Sequence, residues 1–262
     1  MIARKPFIIA HRGASALAPE NTFAAFRRAI EDGAEGIEFD VHLAKDNVPV
    51  VIHDSNLKRL ANVESRVANF TAEELNKIDV GSWFNKKYPQ QANENFRAET
   101  VPALARLLEF LRDYKGLIYV ELKGADAEIF ALAEAVCALI RPVGFFPNVI
   151  IKSFNLEALK TVKRILPDVR AAALFEPKIL TILNKEKLIL DEARKHSADE
   201  ISIHYSLATK NFVGLAREKN FPVTIWTADR LIWVGRALDY GINAIITNNP
   251  ARLLAKRDEI LR

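Results

Sequence analysis

The feature that most constrains this chain is a strict alternation of short β-rich segments with amphipathic helical segments, from one end to the other. Such alternation predicts parallel strands joined by crossover helices. The predicted strands are Phe7–Ala10, Gly36–His42, Leu117–Glu121, Val149–Ile151, Val169–Leu174, Glu200–Ile203, Pro222–Trp226 and Ala244–Thr247. The predicted helices are Thr22–Glu31, Ala103–Tyr114, Ala127–Ile140, Leu156–Leu166, Lys185–Lys195, Lys210–Lys219, Leu231–Tyr240 and Ala251–Leu261.

Eight such units fit the length of the chain. A (β/α)8 barrel typically needs about 250 residues, and this chain has 262. Half of the residues are hydrophobic, which is enough apolar material for one large core. We therefore predict an α/β protein, a (β/α)8 TIM barrel, with residues 1–262 as a single domain. A doubly wound open sheet is the alternative architecture.

One segment breaks this rhythm, between the second predicted strand and the helix that begins near Val101. Residues 55–99 are too many for an ordinary loop between a strand and a helix. They contain Thr71, whose hydroxyl can cap a short helix, and the aromatic pair Trp83–Phe84. We therefore predict an inserted subdomain, approximately residues 55–99, folded over one mouth of the barrel.

Composition and hydropathy exclude several classes of protein. The formal net charge of +4 is small and diffuse, which argues against a nucleic-acid partner. No apolar run approaches the roughly 20 residues that span a bilayer, and we find no secretion signal, so no stable membrane insertion is expected. Cys137 is the only cysteine, which fits a reducing compartment. We expect a cytoplasmic protein, and a homo-oligomer stays open.

Acidic side chains lie at the carboxyl ends of the second and third barrel strands, where such barrels build active sites. Glu38, Asp40 and His42 alternate with apolar residues, so this polar set faces the barrel axis. The third strand ends with Glu121 and Lys123. Buried carboxylates need a cation, and three of them suit Ca²⁺ or Mg²⁺ better than zinc. We therefore predict a divalent-metal site.

Basic side chains end the neighbouring segments. His11 and Arg12 follow the first strand, and His53 ends the short apolar segment that begins at Pro49. Two imidazoles can share the roles of general acid and general base near neutral pH. Arg12 and Lys123 can hold an anionic group against the metal. A metal, a cationic clamp and an acid–base pair are what hydrolysis of a phosphodiester requires.

These residues lie in motifs that resemble the glycerophosphodiester phosphodiesterase family. The most specific motifs are His11-Arg-Gly-Ala14, Pro19-Glu-Asn-Thr22, Glu38-Phe-Asp40-Val41 and Val50-Val-Ile-His53-Asp54. Shorter motifs follow in the family's order over nearly the whole chain: Gly81-Ser-Trp-Phe84, Glu121-Leu-Lys123, Ser153-Phe154, Trp226-Thr227 and Gly241-Ile-Asn-Ala-Ile-Ile-Thr247 with Pro250.

The resemblance implies hydrolysis of a small-molecule glycerophosphodiester to an alcohol and sn-glycerol 3-phosphate. It implies metal ligands Glu38, Asp40 and Glu121 for Ca²⁺ or Mg²⁺, a catalytic pair His11 and His53, and phosphate contacts Arg12 and Lys123. In the family's usual route, a glycerol hydroxyl attacks phosphorus and water then opens the cyclic phosphate. Direct attack by water needs the same residues and stays open.

Three further residues are predicted to support the site. Glu20 and Asn21 match the family's Glu-Asn-Thr turn, Asn21 as the cap of the first helix. His42 shares the inward face of its strand but lies further along, so we expect it to support the site rather than react. His196 and His204 have no motif around them and are predicted to be structural.

The later strands are expected to complete the substrate pocket. Trp226 ends a strand and is predicted to form a wall of the pocket. Lys152 and Ser153 either orient phosphate or glycerol, or cap the next helix. The chain departs from the family's pattern at Asn47 and Asn248, where relatives often carry Gly and Asp. These departures concern substrate specificity more than the chemistry.

Other readings of the same residues remain open. Glu38 and Asp40 could pair with Arg12 and Lys123 as a structural ion network. A lysophospholipase D-like enzyme of the same superfamily would act at a membrane surface, through an apolar mouth near Trp83. A glycosidase would use paired carboxylates, although acids at i and i+2 of one strand suit shared metal ligation better. A non-catalytic barrel would bind phosphodiesters without turnover.

Overall fold

A computed structural model describes residues 5–125, 127–143, 148–177 and 185–262. Its strands are β1 (Phe7–His11), β2 (Gly36–Leu43), β3 (Pro49–Val51), β4 (Leu117–Leu122), β5 (Val149–Ser153), β6 (Arg170–Phe175), β7 (Glu200–His204), β8 (Val223–Trp226) and β9 (Ala244–Thr247). Within the described residues, β1, β2 and β4–β9 pair in parallel, and the pairing of β9 with β1 closes them into an eight-stranded barrel. The predicted (β/α)8 barrel is therefore confirmed, and the open sheet is excluded.

Helices surround this barrel. They are α1 (Phe23–Glu31), α2 (Lys58–Ala61), α3 (Ala72–Leu75), α4 (Ser82–Lys87), α5 (Leu104–Phe110), α6 (Glu128–Ile140), α7 (Leu156–Ile165), α8 (Lys185–Lys195), α9 (Lys210–Glu218), α10 (Ile232–Tyr240) and α11 (Pro250–Leu261). Three short helices lie in the segment between β3 and α5. No described helix is both long and apolar enough to cross a bilayer.

The predicted helix Ala103–Tyr114 is longer than the helix observed. α5 ends at Phe110, and the chain continues in turns as far as Tyr114. The Tyr114 hydroxyl donates to the carbonyl oxygen of Ala34 at 2.6 Å. This hydrogen bond connects the end of the segment to the loop that precedes β2.

The inserted subdomain follows the second barrel strand. Before it lies β3, which the sequence did not predict as a strand and which pairs antiparallel with β2. Asn47 in the connecting turn has φ 59°, a left-handed conformation that asparagine tolerates. The Thr71 hydroxyl accepts from the Glu74 backbone in a capping box, as predicted.

The subdomain has its own apolar core, which includes Ile52, Leu57 and Leu75. Its exact bounds, approximately residues 55–99, stay a prediction.

The barrel interior holds an apolar layer around Tyr119, whose hydroxyl donates to the buried Glu200 on β7. Ile9, Tyr119, Ile150 and Ile246 pack together inside the barrel, and a larger apolar layer lies between the strands and the helices. Nearer the carboxyl ends of the strands, the inward side chains are charged. Because all barrel strands are parallel, these charged groups meet at one mouth, as in other barrels of this kind.

Candidate active site

Three carboxylates from two adjacent strands meet at this mouth. Asp40 on β2 is in register with Glu121 on β4, and Glu38 lies two residues earlier on the same face of β2. Glu38, Asp40 and Glu121 are 0%, 1% and 5% exposed. One oxygen from each lies within 4.8 Å of the others. This spacing is compatible with shared ligation of one hard cation.

Arg12 and Lys123 neutralise part of this negative charge. Arg12 Nε lies 3.0 Å from Asp40 Oδ2, and Lys123 Nζ lies 3.3 Å from Asp40 Oδ1. The Lys123 ammonium also contacts Glu121 Oε1. Burial alone would raise the pKa of Asp40, but the charges of Arg12 and Lys123 outweigh it and hold that pKa well below its usual range. Asp40 is therefore a carboxylate at neutral pH.

Lys152 is part of the same cluster, which the sequence analysis missed. It is in register with Glu121 across β4 and β5, and its Nζ lies 3.0 Å from Glu121 Oε2 and 2.7 Å from Glu38 Oε1. Burial would lower the pKa of Lys152, but Glu38 and Glu121 outweigh burial and raise it. Neither predicted role of Lys152 describes these contacts. Its shared inward face with Ile150 was the available signal.

One oxygen of each carboxylate is paired with a lysine ammonium group. Lys152 Nζ lies 2.7 Å from Glu38 Oε1, Lys123 Nζ lies 3.3 Å from Asp40 Oδ1, and Lys123 also contacts Glu121 Oε1. Three buried carboxylates with one oxygen each within 4.8 Å of the others form the kind of oxygen-ligand set that a divalent cation takes, so the residues present fit such an ion.

His11 is held by an amide. Its Nδ1 lies 2.7 Å from Asn248 Oδ1, and the Asn248 amide nitrogen donates to Asp229 Oδ2 at 2.7 Å. Because the amide nitrogen faces Asp229, the amide oxygen faces His11 and accepts its Nδ1–H. Nε2, 4.0 Å from Glu38 Oε2, is then the unprotonated nitrogen. Burial lowers the pKa of His11 and outweighs the opposite effect of Glu38.

His53 is held by a carboxylate instead. Its Nδ1 lies 2.7 Å from Asp54 Oδ1, and Arg59 Nε donates to Asp54 Oδ2 at 2.6 Å. Burial would raise the pKa of Asp54, but the hydrogen bonds from Arg59 and His53 outweigh it and lower that pKa. The backbone carbonyl of His53 lies 3.0 Å from His42 Nε2. A carbonyl only accepts, so His42 is the donor.

The turn after β1 requires glycine. Arg12 has φ 55° and Gly13 has φ 80°. A Cβ at Gly13 would lie 2.6 Å from the backbone of Ala25, a separation that no side chain tolerates. In this turn the backbone N–H of Arg12 donates to Glu38 Oε2 at 3.1 Å. Arg12 thereby reaches one carboxylate through its backbone and another through its side chain.

Glu20 connects the two histidine regions. It accepts from Arg12 Nη1 at 2.8 Å and from Arg59 Nη2 at 2.7 Å. Arg59 also holds Asp54, the partner of His53. Burial would raise the pKa of Glu20, but the two arginines outweigh it and lower that pKa. Glu20 is therefore an anion that bridges Arg12 and Arg59.

The prediction that Asn21 caps the first helix is wrong. The cap of α1 is Thr22, whose hydroxyl accepts from the backbone of Ala25. Asn21 has φ 58°, and its amide donates to Asp40 Oδ2 at 3.0 Å. The left-handed backbone turns the side chain towards the carboxylates and away from the helix axis.

Aromatic rings line the opposite side of the mouth. The Trp226 ring lies 5.5 Å from Phe154 and 5.4 Å from His204, edge to face in both pairs. Phe154 is 41% exposed. The Ser153 hydroxyl accepts from the backbone of Asn155, at the start of α7. His204, which we predicted to be structural, is the last residue of β7 and packs against Trp226 in this aromatic group.

A groove of about 480 Å³ opens beside the charged side of the mouth. Its lining includes His53 and Lys123 from the site, together with Asn56, Arg66 and Glu128. Asn56 and Arg66 belong to the inserted subdomain, so this subdomain forms one bank of the groove. The groove gives a ligand at His53 room to extend.

Comparison with known proteins agrees with the geometry. Residues 11–252 match the model of the glycerophosphoryl diester phosphodiesterase family. The glycerophosphodiester phosphodiesterase of Caldanaerobacter subterraneus subsp. tengcongensis is 33% identical over 250 residues, which cover 95% of this chain and 97% of that protein. The glycerophosphodiester phosphodiesterase of Bacillus subtilis is 29% identical over 248 residues, which cover 92% of this chain and 83% of that protein.

Solved structures show the same architecture. The glycerophosphodiester phosphodiesterase from Agrobacterium tumefaciens has a TM-score of 0.76 at 28% identity, covering 95% of this chain and 99% of that one. A phosphodiesterase from Oleispira antarctica, in complex with the product sn-glycerol-3-phosphate, has a TM-score of 0.83 at 23% identity and covers 97% of each chain. The family match spans nearly the whole chain, so this protein belongs to the glycerophosphoryl diester phosphodiesterase family, a family of phosphoric diester hydrolases.

Proposed function

We propose that this protein hydrolyses glycerophosphodiesters to an alcohol and sn-glycerol 3-phosphate, with a divalent cation. The observation that carries the proposal is the convergence of Glu38, Asp40 and Glu121, with one oxygen from each within 4.8 Å of the others. His11 and His53 lie beside this cluster. The product bound to the Oleispira antarctica phosphodiesterase supports the assignment of the product.

Glu38, Asp40 and Glu121 would hold the cation, and their oxygen ligands suit Ca²⁺ or Mg²⁺. When bound, such an ion neutralises charge on the phosphoryl oxygens. Arg12 and Lys123 lie at the edge of the cluster, 16% and 18% exposed. From there they can turn part of their hydrogen-bonding capacity to the phosphate.

The two histidines have different partners, and this difference assigns their roles. Burial lowers the pKa of His11, which favours the neutral ring. That ring donates Nδ1–H to the neutral Asn248, so Nε2 is free to accept the proton of the attacking hydroxyl. His53 donates Nδ1–H to the anionic Asp54, which compensates a positive ring. His53 then gives its Nε2 proton to the oxygen of the departing alcohol as the P–O bond breaks.

The attacking hydroxyl belongs either to the glycerol or to water. Attack by glycerol forms a cyclic phosphate, which water opens with the two histidines in exchanged roles. Attack by water gives sn-glycerol 3-phosphate directly. Both routes rely on proton transfer at His11 and His53, and the cyclic-phosphate route uses each of them twice.

The remaining predicted residues position these groups. Glu20 holds Arg12 and Arg59, Asn21 orients Asp40, and His42 fixes the backbone of His53. Trp226 is a wall of the substrate pocket. Ser153 shapes the loop that presents the neighbouring Phe154 through its bond to the backbone of Asn155.

The proposal is tested by release of glycerol 3-phosphate from glycerophosphocholine. Protein treated with EDTA should be inactive, and Ca²⁺ or Mg²⁺ should restore turnover. Full activity in excess chelator would remove the metal from the mechanism. Activity on long-chain lysolipids alone would favour the lysophospholipase D-like alternative, and binding without turnover would favour the non-catalytic one. A cytoplasmic location and a homo-oligomer stay predictions.

A further inference from the structure

A lysine is built into the acid cluster from the barrel interior. Lys152 shares the inward face of β5 with Ile150, which belongs to the apolar interior core. Strand register places Asp40, Glu121 and Lys152 side by side across β2, β4 and β5. Lys152 is 2% exposed. Its ammonium group therefore has little access to water, and its partners are protein carboxylates.

The contacts of Lys152 use oxygens that a metal ion would also need. Its Nζ lies 2.7 Å from Glu38 Oε1, while the other oxygen of Glu38 accepts the backbone N–H of Arg12 at 3.1 Å. Both oxygens of Glu38 are thus engaged. A divalent ion that binds Glu38 has to share an oxygen with the Lys152 ammonium or displace that ammonium.

Lys152 differs in this respect from Lys123. Lys123 is 18% exposed at the side chain and lies at the groove, so it can turn towards an anionic ligand. Lys152 is enclosed, with Glu38 and Glu121 on either side. An enclosed ammonium among carboxylates repels an incoming dication and stabilises the carboxylates when that dication is absent.

We propose that Lys152 is an internal counter-cation that keeps the acid cluster assembled without a divalent ion and weakens the affinity of the cluster for that ion. The inference rests on the metal site of the proposed function. Lys152 is a positioning residue, since it acts through Glu38 and Glu121 and lies beneath them. The cluster consequently exchanges its cation more readily than three uncompensated carboxylates would.

The test compares Lys152→Gln with Lys152→Arg, which keeps the charge, and with Lys160→Gln, which removes an exposed lysine from α7. Calorimetric titration of metal-free protein with Mg²⁺, Ca²⁺ and Mn²⁺ gives the affinities. We expect Lys152→Gln to bind at least about tenfold more tightly than the parent protein. Lys152→Arg and Lys160→Gln should stay within about threefold of the parent protein.

Thermal unfolding supplies a second readout. Metal-free Lys152→Gln should unfold at a lower temperature than the parent protein, and saturating Mg²⁺ should raise its midpoint by more than it raises that of the parent. If the metal-free variant does not stay folded, loaded protein can be titrated with a chelator, which gives the same affinity.

The outcomes separate this inference from the proposed function. Equal or weaker binding by Lys152→Gln, with normal binding by the parent protein, would overturn the role of Lys152 alone. No binding by any variant would overturn the metal site as well. Because these measurements involve no substrate, failure of glycerophosphocholine to react leaves both results readable.

Discussion

The two sides of the barrel mouth are built from different kinds of side chain. Between β1 and β4 the mouth carries paired charges, among them Arg12, Asp40 and Lys123. Between β5 and β8 it carries aromatic rings, among them Phe154 and Trp226. Each of these charged groups forms ion pairs with residues on neighbouring elements. The rings make apolar packing contacts.

The difference predicts how each side responds to substitution. Removing one buried charge leaves its partners uncompensated, which costs far more than the contact itself. Removing a partly exposed ring loses apolar area in proportion to what was buried. The charged side should therefore govern turnover, metal binding and stability, and the aromatic side should govern affinity for substrate.

The largest effect is expected at the catalytic histidines. His11→Ala or His53→Ala should lower kcat by about 10²- to 10⁴-fold, because each variant lacks one proton-transfer group. Steady-state kinetics with glycerophosphocholine gives the rate, and urea unfolding shows that the fold is retained. His196→Gln is the matched control, since His196 is buried among Glu192 and Glu157 away from the mouth. Unchanged kcat would remove that histidine from the mechanism.

Asp40→Asn should couple stability to metal binding. The neutral amide removes one of the charged partners of Arg12 and of Lys123, which keep Glu20 and Glu121, and the free energy of unfolding should fall by about 2 kcal/mol. Divalent binding, measured by calorimetry, should weaken in the same variant. The exposed Asp113→Asn is the control. Unaltered stability would mean that the charges at this side are independent of one another. The charged side would then not differ from the aromatic side in its effect on stability.

Asn248→Asp should change the pH dependence of the reaction. Burial keeps the pKa of His11 below its usual value, and a carboxylate on Nδ1 would raise that pKa by favouring the charged ring. Because His11 must be unprotonated to accept a proton, the acidic limb of kcat/KM should move to higher pH by about one unit. The control is Asn249→Asp, which adds the same charge one residue away, at the N-cap of α11, and should leave this limb in place. A limb that does not move contradicts His11 as the base.

The smallest effect is expected on the aromatic side. Phe154→Ala should raise KM about fivefold with kcat within about twofold, because a ring that is 41% exposed buries only part of its area. Phe130→Ala on α6, 38% exposed, is the control. A large loss of kcat would instead mean that the ring acts on the charged side, where Lys123 Nζ lies 5.8 Å from it. The ring would then position a charged group.

Most of the fold follows from local pattern. Each predicted strand is present, with ends within two residues, because the apolar strands and the amphipathic helices have different periods along the chain. β3 was missed because a three-residue strand gives too short a pattern. α5 ends at Phe110, four residues before the predicted end. The Tyr114 side chain bonds to Ala34, 80 residues away, and a pattern along the chain does not show such a contact.

The candidate site was predictable to a lesser degree. Alternation along β2 indicated that Glu38 and Asp40 share a face, and the structure places them together with Glu121. The sequence analysis named Lys152 but did not place it in the acid cluster, because its partners Glu38 and Glu121 lie on other strands. Asn21 was assigned to the wrong partner because its left-handed backbone is not visible in the sequence.

The sequence by itself determined the order of the barrel strands, the inward face of β2 and the family, because these depend on residue type and on spacing along one stretch of chain. Only the tertiary structure decided which partner each charged group meets. His11 meets Asn248 across 237 positions of sequence, and that contact exists only once the barrel has closed β1 against β9. The neutral partner of His11 is therefore a property of the closed barrel, whereas the anionic partner of His53, Asp54, is its immediate neighbour in the sequence.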